Sequence, residues 1–147
     1  MPVPDQIEPT KLGDYLEIMT KAVFQSGISW KVVDNKWPGI QEAFRGFDVE
    51  TVAGFGEKEL DDLTSDTRVI RHRRKLEAIL GNARRMIELD KEHGGFQKYL
   101  RSQPDFDSTV KDIKKQFKYM GLTGIYFFLY SVGEKVPPHE EIFPGRS

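Results

Sequence analysis

Residues 24–30 read Phe24-Gln25-Ser26-Gly27-Ile28-Ser29-Trp30. An aromatic ring, a polar amide and an apolar tip around a glycine can read a nucleobase and fill a gap in a base stack. The same residues also suit a helix connection in which Ile28 and Trp30 belong to the core. A second candidate is Met120-Gly121-Leu122-Thr123-Gly124, with Lys114, Lys115 and Lys118 just before it. Glycines there let the chain approach another backbone closely, and the amides opening the next helix can face a phosphate. An ordinary helix–helix connection has the same composition.

Charge is segregated along the chain. Between positions 68 and 85 stand Arg68, Arg71, Arg73, Arg74, Lys75, Arg84 and Arg85, with Glu77 the single acid among them. Positions 111–118 hold four lysines and Asp112. Upstream, Glu57, Glu59, Asp61, Asp62 and Asp66 form an acidic stretch. A protein of net charge −1 can therefore still offer a basic face to a polyanion, although solvated helix faces would give the same pattern.

Other chemistries are excluded by what is missing. The 147 residues contain no cysteine, which removes disulfides, thiolate metal sites and cysteine nucleophiles. His72, His93 and His139 are scattered, so no metal site is expected. No phosphate-binding glycine loop, zinc-protease helix or nucleophile elbow occurs. No apolar run approaches the length of a membrane span and the N-terminus lacks a signal-peptide stretch, so the expectation is a soluble cytoplasmic protein.

The elements that must position these residues read as helices. Residues 11–25 carry Leu12, Tyr15, Leu16, Met19, Ala22 and Val23 at helical spacing. Asn35-Lys36-Trp37-Pro38 resembles a helix start, with proline in the first turn. Asp48 suits an N-cap, and residues 57–63 a short helix. The longest helix is expected from about 70 to 91, with the stripe Leu76, Ile79, Leu80, Ala83, Met86 and Ile87, stopped by Gly94-Gly95. Phe96, Tyr99 and Leu100 suggest another short helix, and Ser108 can cap one carrying Val110, Ile113 and Phe117. The apolar run from Ile125 to Tyr130 is read as a buried helix ending near Val132, followed by an irregular tail. The expected fold class is all-α, a single domain over residues 1–147.

Several segments together match a known pattern. They are Tyr15-Leu16-Glu17-Ile18-Met19, Gln25-Ser26-Gly27-Ile28-Ser29-Trp30, Ala43-Phe44-Arg45-Gly46-Phe47-Asp48, the run from Ile70 to Arg84, and the run from Lys114 to Tyr126. In this order and spacing, over roughly residues 12–133, the chain resembles the 3-methyladenine DNA glycosylase I family of the helix-hairpin-helix DNA glycosylase superfamily. The resemblance implies a DNA-binding hairpin at residues 120–124 and a monofunctional glycosylase that flips an alkylated base, such as 3-methyladenine, out of double-stranded DNA and releases it by hydrolysis. It implies that Trp30 stacks on the flipped base. Gln25, Ile28, Lys114, Lys115, Lys118, Gly121, Thr123 and Gly124 would contact DNA. An alkylated purine is cationic, so an aromatic face attracts it and it departs with little general-acid help. Pocket shape and electrostatics can then supply much of the catalysis.

The chain also departs from that family. Its acidic pocket position, three residues before Gln25, is Ala22, so the catalytic residue is unassigned. Glu17 lies five residues earlier, a rotation of about 140° around a helix axis, which points it to a different face. The family's N-terminal segment, with its aromatic pocket residue and zinc ligands, has no counterpart, so neither zinc nor any cofactor is expected. Trp37, Tyr15, Tyr126 and Tyr130 are candidates to refill the pocket. The expected partner is damaged duplex DNA, bound by a monomer without a membrane. Two alternatives remain at this level: a non-catalytic DNA-binding descendant of the fold, and a helical module for a protein partner.

Overall fold

A computed structural model describes residues 5–145, and every regular element among them is helical. Helix α1 (Leu12–Gln25) is central. It buries Tyr15, Leu16, Met19, Ala22 and Val23 of the apolar stripe, and Phe24 besides. Asp14 closes its N-terminus by accepting from the backbone N–H groups of Thr10 and Lys11. The chain then turns through Gly27, whose φ of +79° suits glycine, into α2 (Trp30–Ala43).

Helix α2 starts five residues before the Asn35 signal, and Pro38 lies inside it. The reason is the apolar face: Val33, Trp37, Ile40 and Ala43 are buried at helical spacing across the proline. That burial outweighs one lost backbone hydrogen bond. A 3₁₀ turn (Arg45–Phe47) leads to α3 (Val49–Ala53), capped by Asp48 as expected, and to α4 (Glu57–Ser65).

The longest helix, α5 (Arg73–His93), starts later than expected because His72 is its N-cap, its Nδ1 accepting from the Lys75 amide at 3.3 Å. Gly94, with φ +70°, ends it. Helix α5 packs against α1, α3, α4 and the short α6 (Phe96–Leu100). In α7 (Phe106–Gln116) the cap is Asp105, which accepts from the Ser108 amide at 2.8 Å, so Ser108 stands inside the helix and not at its cap. Capping at Asp105 adds Phe106, Asp107 and Ser108 to the helix, and of these Phe106 packs against the core.

Helix α8 (Leu122–Ser131) is the buried apolar helix. It packs along α1. Its start at Leu122 puts Thr123 and Gly124 in its first turn, leaving residues 117–121 as the connection from α7. The tail is irregular apart from one turn, α9 (His139–Ile142). Residues 5–10 run back beside the end of α8: Ile7 donates its N–H to Ser131 at 2.7 Å, and the Gln6 side chain donates to the Tyr130 carbonyl at 3.1 Å.

Candidate active site

One broad face of α1 lines a cleft. Asp14, Glu17, Ile18, Lys21, Ala22 and Gln25 face it, a set that spans an arc of about 140° on a helix turning about 100° per residue. Glu17 and Ala22 stand at the two edges of that arc. The rotation between them is as the sequence suggests, but it is the width of one wall and does not separate Glu17 from the pocket. Trp30, Asp34, Trp37 and Gln41 of α2 form the second wall, and Phe127 and Phe128 of α8 a third. The cleft encloses about 680 Å³, enough for a purine.

Packing fixes the aromatic wall. Trp37 stacks on Phe47 at 5.5 Å and 7°, and Phe47 stacks on Phe44 at 5.3 Å and 7°. The Trp37 indole N–H donates to Glu17 Oε2 at 2.8 Å, and Gln41 Nε2 donates to the same oxygen at 2.7 Å. Lys21 Nζ lies 5.1 Å from the Trp37 ring centroid and 3.6 Å from Asp34. With Asp5 and Glu8 on the rim, the lining holds five carboxylates against one ammonium. Such a cleft favours a cationic guest.

Trp30, the first residue of α2, and Gln25, the last of α1, line the cleft half-buried. Ile28 sits in the connection between them, partly packed on the core. Of the four refill candidates, Trp37 alone lines the cleft. Tyr15 is buried against Phe96 at 5.0 Å, and Tyr126 packs on Phe143 at 5.5 Å while donating its hydroxyl to the Pro137 carbonyl. Tyr130 is half-buried outside the lining.

Lys114 and Lys115 in the last turn of α7, Lys118 and Gly121 in the connection, and Thr123 in the first turn of α8 are all exposed. Gly124 instead faces inward: a Cβ there would lie 3.5 Å from the Ala22 Cβ. That is ordinary packing distance between α8 and α1, and Phe127, one turn on, reaches the cleft. Asn82 of α5, only 2% exposed, holds the hairpin by pairing with both backbone groups of Lys118, at 3.2 and 2.9 Å. Tyr119 adopts φ +58° beside it, its ring 6.2 Å from His72.

Two arrangements appear only in the fold. One is the Glu17–Trp37–Gln41 cluster, drawn from two helices. The other is Lys75, read as part of a basic run. It is 4% exposed, and its Nζ donates to the carbonyls of Phe24, at 3.3 Å, and Ser26. It thereby ties α5 to the end of α1 and to the connection that leads to Trp30. Burial pushes its ammonium below the ordinary lysine range.

The basic run is also less free than it looks. Arg73 pairs with Glu57, Asp61 and Glu77. Arg68 pairs with Asp66 and Glu42. Arg84 donates to the carbonyls of Ala53 and Phe55, and Arg85 to Gln116. Arg71 and Arg74 are exposed and make no such bond among the described residues.

A zinc ion does not fit the residues present. The chain has no cysteine. His139 is half-buried among the rings of Tyr126, Phe127 and Phe143.

The model of the methyladenine glycosylase family matches residues 13–118. This chain belongs to the methyladenine glycosylase family. DNA-3-methyladenine glycosylase 1 of Escherichia coli (strain K12) is 31% identical over an alignment of 130 positions that covers 74% of this chain and 70% of that protein. A crystal structure of 3-methyladenine DNA glycosylase I superposes with a TM-score of 0.75 at 26% identity, covering 86% of this chain and 81% of the other. A variant of 3-methyladenine DNA glycosylase I in complex with 3-methyladenine gives 0.74 at 25% identity, over 90% and 85% of the two chains. The match with the family model spans α1 to the end of α7, and so includes the α1 and α2 walls of the cleft.

Proposed function

We propose that this methyladenine glycosylase family member is a monofunctional DNA repair glycosylase. It flips an alkylated base such as 3-methyladenine out of duplex DNA and hydrolyses its N-glycosidic bond. The observation that carries this reading is the cleft itself, with Trp30, Trp37 and Phe127 as aromatic surfaces and carboxylates between them. Trp30 stacks on the flipped base. Gln25 and Ile28 enter the gap it leaves. Lys114, Lys115 and Lys118, with the backbone at Gly121 and Thr123, hold phosphates. Gly124, in the first turn of α8, offers its backbone N–H to the same phosphates.

The chemistry suits a site without an acid at position 22. A base methylated at N3 carries a positive charge while attached to the sugar. As the bond from C1′ to the base breaks, its electron pair moves onto the base, which leaves neutral. Water supplies the oxygen that bonds to C1′ and gives up a proton. No proton need be delivered to the leaving group, so aromatic and carboxylate surfaces that gather the cation can suffice. One chain supplies both cleft and hairpin, so the working unit is a monomer, located in the cytoplasm. Among the described residues no helix is long and apolar enough to cross a membrane.

The test is base release. Methylated duplex DNA is incubated with the protein, and free purines are identified by mass spectrometry. The expected result is a released methylated purine, lost in Trp30→Ala. Ala22 favours a second reading, a DNA-binding descendant without catalysis. DNA binding with no release of any methylated base would establish it.

A further inference from the structure

We propose that Glu17 is the carboxylate that recognises the alkylated base in this protein, in place of an acid at position 22. The inference rests on the glycosylase reading above and names the group that sets its specificity. Three observations support it. First, Glu17 lines the cleft with Trp30, on the opposite edge of the α1 wall from Ala22. Second, its carboxylate is held in place. Trp37 and Gln41 both donate to Oε2, while Oε1 takes no hydrogen bond among the described residues. Trp37 is in turn fixed by its stack on Phe47. A carboxylate immobilised by two donors on one oxygen presents the other to a guest without a further loss of rotamer freedom.

Third, the other carboxylates of the lining are either engaged or, as with Asp5 and Glu8, exposed on its rim. Asp14 caps α1, accepting at 2.9 Å from Thr10. Asp34 is paired with Lys21, whose ammonium also rests over the Trp37 ring. Glu17 is thus the half-buried acid of the cleft that an aromatic framework orients and no cation neutralises. Its chemistry calls for a flat cationic guest that carries a hydrogen-bond donor, such as the amino group of an N-methylated adenine.

The experiment compares two soluble probes in calorimetric titrations. The 3,9-dimethyladeninium ion mimics the methylated base with a methyl in place of the sugar, and 9-methyladenine is its neutral partner. The wild-type protein is expected to prefer the cation. Glu17→Gln, similar in shape but uncharged, is expected to lower that preference about ten- to hundredfold, the size of a hydrogen bond to a charged group. An unchanged preference in a folded Glu17→Gln protein overturns the proposal. If Glu17→Gln does not fold, Trp37→Phe carries the test. Releasing one donor lets the carboxylate wander, and the preference should fall several-fold; no change there overturns the proposal equally. Base release from methylated DNA separates the two levels. If wild type releases the base while Glu17→Gln keeps its cation preference, the inference fails and the glycosylase reading stands. If wild type neither releases base nor prefers the cation, both fail.

Discussion

Lys75 has no carboxylate beside it among the described residues, and it spends its charge on backbone. Its two carbonyl partners, at Phe24 and Ser26, end α1 and open the connection to Trp30. Helix carbonyls at a C-terminus carry partial negative charge, so a buried ammonium there is both capping group and counter-charge. Lys75→Met keeps the aliphatic stem and leaves the carbonyls unpaired. The expected loss is about 1–3 kcal/mol of stability in urea denaturation, with weaker base capture because the Trp30 connection loosens. A variant as stable as wild type would refute this role. Trp30 and Gln25 were legible as an aromatic and an amide flanking a glycine. Lys75 was not, because a run of arginines and a lysine carries no mark of which member turns inward. The place of Glu17 in the lining is not legible from α1 alone, because rotation along one helix says nothing of how wide a cleft is, which α2 and α8 decide.

Among the elements, acidic residues set several boundaries. Asp48 accepts from the amide and hydroxyl of Thr51, and Asp105 from the amide of Ser108. These bonds hold both carboxyls below the usual range, and the Arg68 guanidinium does the same for Asp66. A carboxyl depressed in the folded state adds stability that is complete above its unfolded pKa of about 3.9 and fades as pH falls through the folded value. Thermal melts should therefore hold level from pH 7 to 5 and drop below about pH 4. A protein carrying both Asp48→Asn and Asp105→Asn keeps its caps without the titration, and its Tm should fall less between pH 5 and 3. An equal fall in both proteins would rule these caps out as the cause. The helices whose apolar stripes are long, α1 and α5, were legible almost to their ends. The start of α2 was not, because Pro38 resembles a first-turn residue until Val33, Trp37 and Ile40 are seen to share one buried face. Asp105 was passed over for Ser108 because both residue types cap well and the choice lies in three residues of register.

Taken whole, the molecule separates its charges by use. Its arginine-rich segment looks like a polyanion-binding stripe, yet Arg68, Arg73, Arg84 and Arg85 are bound to carboxylates, carbonyls or a side-chain amide of the same chain. Within that segment the unpaired cations among the described residues are Arg71, just before α5, and Arg74 in its first turn, and the exposed lysines of the hairpin lie nearby. The His72–Tyr119 ring contact and the Asn82 pairing join those two regions. Five carboxylates line the cleft against one ammonium, so the surface that would meet phosphates and the pocket that would receive a cationic base carry opposite signs. This division yields a test on the whole protein. Each phosphate contact with duplex DNA contributes about 0.9 to the slope of log affinity against log salt. Replacing Lys114, Lys115 and Lys118 together by alanine should flatten that slope by about 2–3 and weaken binding alike for all sequences. Arg73→Ala should leave the slope unchanged, because its guanidinium already faces Glu57, Asp61 and Glu77. The opposite result, a slope lowered by Arg73→Ala and indifferent to the lysines, would move the DNA path from the hairpin to the side of α5.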